Sequence, residues 1–95
     1  MAVRATVRVF GCVFGVSYRA AALEKANALG IRGFVRNETG NGCVCIDAEG
    51  GATAVERFIA WCRRGPLFAK VERLEVTRSS DLRGYTEFTV AVDAG

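Results

Sequence analysis

Residues 3–30, VRATVRVFGCVFGVSYRAAALEKANALG, carry two periodicities joined by a short loop. Val3, Ala5, Val7 and Val9 alternate with Arg4, Thr6 and Arg8, the period of two expected of a strand with one buried face. The strand is expected to end at Gly11. From Tyr18 to Leu29 the spacing changes: Ala22, Leu23, Ala26 and Leu29 recur at helical intervals, and Gly30 suits the position just past a helix end.

The rest of the chain extends this pattern. Residues 31–37 read as a second strand and 42–49 as a third. Between them, Glu38-Thr39-Gly40-Asn41-Gly42 reads as a hairpin turn, with Asn-Gly its strongest signal. Thr53 and Glu56 have the spacing of a capping box, which predicts a helix whose Val55, Phe58, Ile59 and Cys62 form one apolar stripe. Arg63 and Arg64 followed by Gly65 and Pro66 end it. Residues 69–78 and 85–92 read as two further strands joined by a polar stretch. The order β-α-β-β-α-β with one extra C-terminal strand predicts an α+β, ferredoxin-like sandwich. In it two helices cover one face of an antiparallel sheet, with strands 1 and 3 central and strand 2 beside strand 3. One domain is expected to span residues 1–95.

Composition narrows the function classes. Hydrophobic residues make up 51% of the chain, enough for a packed core, and no apolar run is long enough for a membrane span. The N-terminus lacks the apolar stretch and cleavage site of a signal peptide, so a soluble, cytoplasmic monomer without membrane partners is expected. A net charge of +3 permits an anionic substrate without demanding nucleic acid. Cys12, Cys43, Cys45 and Cys62 have neither zinc-finger spacing nor a secreted context, so reduced thiols are expected and no metal or other cofactor. The chain contains no histidine, which removes the commonest general base.

The loop between the first strand and the first helix carries the chemistry. Glycines at positions 11 and 15 allow successive N–H groups to turn inward, and a helix N-terminus adds free donors and partial positive charge, together a phosphate cradle. The bland reading is a tight strand-to-helix turn. Arg19 adds weight to the cradle, because a cation in the first turn of a helix is unfavourable by about 0.3–1 kcal/mol unless an anion lies beside it. A solvated arginine or a surface ion pair is the alternative. Asn37, before the hairpin, is a favoured turn residue, and its distance from the loop is left open by the sequence. Cys12 lies beside the loop, where a reactive thiol is conceivable and an inert one favoured.

Two segments resemble the acylphosphatase family. They are Gly11-Cys12-Val13-Phe14-Gly15-Val16-Ser17-Tyr18-Arg19 and, after the helix, Ala26-x-x-x-Gly30-x-x-Gly33-Phe34-Val35-Arg36-Asn37. The family pattern is G-[RK]-V-Q-G-V-x-[FY]-R, then G-x-x-G-W-V-[RK]-N, and the similarity extends over nearly the whole chain. The resemblance implies the ferredoxin-like fold and hydrolysis of acyl phosphates to a carboxylate and inorganic phosphate. By it Arg19 binds the phosphoryl group, Asn37 orients the attacking water, and the main-chain amides of Val13, Phe14, Gly15, Val16, Ser17, Tyr18 and Arg19 form the cradle. Phe14 replaces the family's usual Gln and Cys12 its usual Arg or Lys, and the turn after Asn37 is one residue longer.

Two rivals set the contrast. One is a non-catalytic, anion-binding or regulatory domain that keeps the cradle. The other is an RNA-binding sheet, for which Arg32-Gly33-Phe34 opens an RNP1-like match. That match fails at Val35-Arg36-Asn37 and falls on strand 2 where strand 3 is required, so no nucleic-acid partner is expected.

Overall fold

The structure, a computed structural model, describes residues 1–94. In chain order it comprises β1 (Ala2–Cys12), α1 (Tyr18–Leu29), β2 (Arg32–Glu38), a 3-10 turn (Thr39–Asn41), β3 (Cys43–Gly51), α2 (Ala52–Arg64), β4 (Lys70–Ser79) and β5 (Phe88–Val90). The strands lie in the order β4-β1-β3-β2-β5. β3 separates the parallel strands β1 and β2, as the split βαβ arrangement requires.

The alternation in β1 divides the sheet into two faces. Val7 and Val9 are fully buried beneath the helices with Val44, Ile46 and Val35. From the helical side, α1 contributes Tyr18, Ala22 and Ala26, and small residues at this spacing let the helix lie close to the sheet. The predicted stripe on α2 is the buried one: Val55, Phe58, Ile59 and Cys62. Phe58 packs between Trp61 and Phe88, with ring centroids 6.1 and 5.8 Å away.

Four expectations need correction. The sheet is mixed, because β5 pairs parallel with β2. Predicted over residues 85–92, β5 spans only Phe88–Val90, since the chain first crosses the open sheet face. That crossing is held by two acidic residues of β3. Asp47 accepts from Arg4 at 3.1 Å, from Thr6 at 3.0 Å and from the Tyr85 hydroxyl. Glu49, 1% exposed, accepts the main-chain N–H groups of Arg83 and Gly84. The chain thus reverses direction relative to β4 and arrives beside β2, which also opposes β4. A parallel pairing follows.

The capping box at Thr53 does not form. The helix begins two residues earlier than that cap implies, at Ala52, whose N–H donates to the Met1 carbonyl, and no side chain caps it. Thr53 therefore falls inside the first turn, and Glu56 instead meets Arg78 in a two-pronged pair at 2.8 and 2.9 Å. Lastly, Glu38 belongs to β2 rather than to a solvated turn. It is buried, and its oxygens accept from Arg8, Arg36 and Asn41.

Candidate active site

β1, β2 and β5 run parallel to one another, so their C-terminal ends meet at one edge of the sheet. The loop after β1, Asn37 near the end of β2 and Asp93 beyond β5 come together there. At the loop's first shoulder, Gly11 has φ 133°, and a Cβ there would lie 2.1 Å from the Lys70 carbonyl oxygen. The tight approach coincides with a register shift between β1 and β4, which turns the chain out of the sheet. Val13 N–H then closes onto the Gly11 carbonyl at 3.0 Å.

Beyond Val13 the loop coils with two residues in the left-handed region, Gly15 at φ 69° and Ser17 at φ 62°. Ser17 is the only non-glycine among the described residues with positive φ, and its side chain does not cap α1. Backbone placed there without local compensation is a feature of ligand clamps. Left-handed residues within such a loop are the backbone pattern of an anion-binding nest. Among the described residues, the N–H groups of Phe14, Gly15, Val16 and Ser17 reach no protein acceptor, and those of Tyr18, Arg19 and Ala20 open a helix with no preceding turn. The first bond after the loop is Ala21 N–H to the Ser17 carbonyl, at 3.0 Å.

A cavity of about 330 Å³ lies here, lined by Val13, Gly15, Ser17, Tyr18, Arg19, Ala20, Leu23, Asn37 and Val90. The distance left open by the sequence is thereby closed: Arg19 and Asn37 share one cavity. Five of the seven expected cradle residues line it. Phe14 and Val16 do not; Phe14 is 40% exposed and points outward, while Val16 packs against the core. Tyr18 pairs with Trp61 at 5.4 Å.

Arg19 is in an ion pair. Its Nη1 donates to Asp93 Oδ1 at 3.0 Å, and Asn37 Nδ2 donates to Asp93 Oδ2 at 3.5 Å. Asp93 was missed by the sequence reading, since an acid two residues from the end of the chain has no local signal connecting it to either partner.

The supporting groups are tuned by burial. Burial and the neighbouring Cys62 thiol push the Tyr18 phenol far above its ordinary range, and its hydroxyl donates to the Cys62 carbonyl at 2.8 Å. Burial lifts Cys62 to about 12 and Cys45 to about 11, so neither is a nucleophile near neutral pH. At Glu38 burial opposes ionisation, but donors from Asn41, Arg8 and Arg36 outweigh it and hold the carboxyl at about 2. All four cysteines are free, and Cys12 is exposed and outside the cavity lining. No group of three His, Cys, Asp or Glu residues that could hold a metal ion occurs among the described residues.

Comparison with known proteins adds a family. The acylphosphatase family model matches residues 5–90. An acylphosphatase of Methylococcus capsulatus is 47% identical over 90 residues, covering 95% of this chain and 97% of that protein. One of Aeropyrum pernix is 47% identical over 74 residues, covering 78% and 73%. Among solved structures, the acylphosphatase of Bacillus subtilis superposes with a TM-score of 0.90 at 31% identity, covering 94% of this chain and 98% of that one.

Proposed function

The chain belongs to the acylphosphatase family and hydrolyses acyl phosphates to a carboxylate and inorganic phosphate, and on that premise we propose that turnover runs through Arg19, Asn37 and the loop amides. The observation that carries the proposal is the shared cavity, where Arg19 and Asn37 stand beside main-chain donors that have no acceptor among the described residues. Being an enzyme, the chain does not fit the non-catalytic alternative.

The phosphoryl group lies in the nest, its oxygens taking the amides of residues 14–19 and the Nε and Nη2 of Arg19, while the Val13 N–H is committed to the Gly11 carbonyl and closes the loop instead. Phosphoryl transfer passes through a loose transition state with charge spread over the equatorial oxygens, so fixed donors supply most of the stabilisation. Asn37 orients a water for in-line attack on phosphorus. The P–O bond to the acyl group breaks, the carboxylate leaves with the electron pair, and the water's proton passes to phosphate or solvent. A carboxylate is a stable leaving group and needs no strong general acid, which suits a site without histidine. The positive charge comes from Arg19 and the amides, without a metal ion. We also take the enzyme to be a cytoplasmic monomer without nucleic-acid or membrane partners. Phe34 is engaged by Tyr85 and Arg36 rather than free for base stacking, which supports the lack of a nucleic-acid partner, and no helix among the described residues is long and apolar enough to cross a membrane.

The test is substitution. Arg19→Ala and Arg19→Lys should each lower kcat/KM on the order of 10³-fold, since a lysine point charge cannot reproduce the fork. Asn37→Ala should lower kcat on the order of 10²–10³-fold and leave KM and phosphate inhibition nearly unchanged. A folded Arg19→Ala that keeps most of its activity places the chemistry elsewhere.

A further inference from the structure

One carboxylate touches both residues assigned to the chemistry. Asp93 Oδ1 accepts from Arg19 Nη1 at 3.0 Å and Oδ2 from Asn37 Nδ2 at 3.5 Å, yet Asp93 is not part of the cavity lining. It therefore reaches both side chains from outside and leaves the cavity open. Arg19 Nε and Nη2 have no acceptor among the described residues and stay available to a phosphoryl group. On Asn37, engaging Nδ2 turns the acceptor Oδ1 away from Asp93, the orientation needed to receive a water hydrogen.

The main chain around Asp93 is tied to the strand that carries Asn37. Ala91 N–H donates to the Val35 carbonyl at 2.9 Å, Ala94 N–H to the Asn37 carbonyl at 2.9 Å, and Thr39 N–H to the Ala94 carbonyl at 3.0 Å. Bonds on either side of position 93 thus set where the carboxylate sits.

We propose that Asp93 is a positioning residue for acyl phosphate hydrolysis, anchoring the Arg19 guanidinium and the Asn37 amide from outside the cavity. The inference rests on the assignment of those two residues. Arginine has several rotamers to lose, and an anchor at Nη1 reduces the nonproductive share. A misplacement of about 1 Å can cost on the order of 10²-fold in rate. Because the two side chains are 39% and 47% exposed, the contribution of this pair is smaller, about tenfold. Binding responds differently: the Asp93 charge also repels the anion, so removing it offsets the loosened grip.

The experiment measures kcat and KM for benzoyl phosphate, inhibition by inorganic phosphate, and thermal unfolding in the full chain. Asp93→Ala should lower kcat about tenfold, with KM and the phosphate inhibition constant within about threefold and the unfolding midpoint close to wild type. Asp93→Asn, whose amide oxygen still accepts from Arg19, should recover part of kcat. In an Asn37→Ala background Asp93→Ala should cost less, because one of the two anchored groups is gone. A kcat within twofold of wild type overturns the inference, as does an undiminished loss in the Asn37→Ala background. So does a rise in kcat with tighter phosphate binding, which would make Asp93 an internal competitor. Arg19→Ala separates the two levels. If it retains activity, the site assignment fails; if it is inactive while Asp93→Ala is neutral, only the role of Asp93 fails.

Discussion

Tyr18→Phe removes one oxygen atom, and the structure sets what that costs. The ring is 1% exposed and its hydroxyl donates to the Cys62 carbonyl at 2.8 Å. Cys62 lies in the last turn of α2, where carbonyls lack an in-helix donor; Gly65 N–H serves the Trp61 carbonyl at 2.8 Å but not that of Cys62. Phenylalanine keeps the contact with Trp61 and leaves the carbonyl unpaired. A lost hydrogen bond contributes about 0.5–1.5 kcal/mol and a stranded buried acceptor about 1–3, so destabilisation near 2 kcal/mol at pH 7 is expected. For a chain of this size that lowers Tm by roughly 8–16 °C. The pH dependence is an independent check. The folded-state pKa of Tyr18 is raised, so its stabilisation is complete below the unfolded value of about 10 and is lost as pH rises above it. The gap between wild type and Tyr18→Phe in urea unfolding should therefore narrow by about 1.4 kcal/mol between pH 7 and pH 11. A gap under about 0.5 kcal/mol at pH 7, or one that stays constant to pH 11, would refute the reasoning.

Three further outcomes are expected. The folded-state pKa of Glu38 is depressed to about 2, so its stabilisation is full above the ordinary carboxylate range and is lost as pH falls through about 2. Acid titration of stability should cost wild type up to about 3 kcal/mol between pH 5 and pH 2, and Glu38→Gln should lack that portion of the slope. Phe14→Gln should change kcat/KM for acetyl phosphate by no more than about tenfold upward, because the side chain lies outside the cavity lining and one new loop hydrogen bond contributes about 0.5–1.5 kcal/mol; a loss of activity in the folded variant would make Phe14 integral to the loop. Exhaustive chelation should leave kcat unchanged, and restoration of a chelated sample by one particular metal would overturn the metal-free mechanism.

Much of the architecture was legible because it is encoded between near neighbours. The alternation from Val3 to Val9, the turn from helix to strand at Gly30, and the spacing of Val55, Phe58, Ile59 and Cys62 each reflect sterics and burial within a few residues, and each holds in the fold. The capping box was a local signal that lost. The Ala52 N–H to Met1 carbonyl bond starts α2 early, and Arg78 from β4 gives Glu56 a better partner than the helix end. Arg19 stood out by its unfavourable place at a helix start, and the two-segment resemblance coupled it to Asn37.

What the tertiary structure decided depends on the route of the chain. Asp47 and Glu49 could be read as strand residues, but not as acceptors that pull residues 81–85 across the open face. That crossing reverses the chain, makes β5 parallel to β2 and brings Val90 and Asp93 to the end of the sheet where the loop waits. Arg19 and Asp93 are 74 residues apart, and no periodicity or spacing rule reaches that far. Local sterics determine which segments become strands and helices. Only the accumulated direction of every strand and connection determines which of their ends meet.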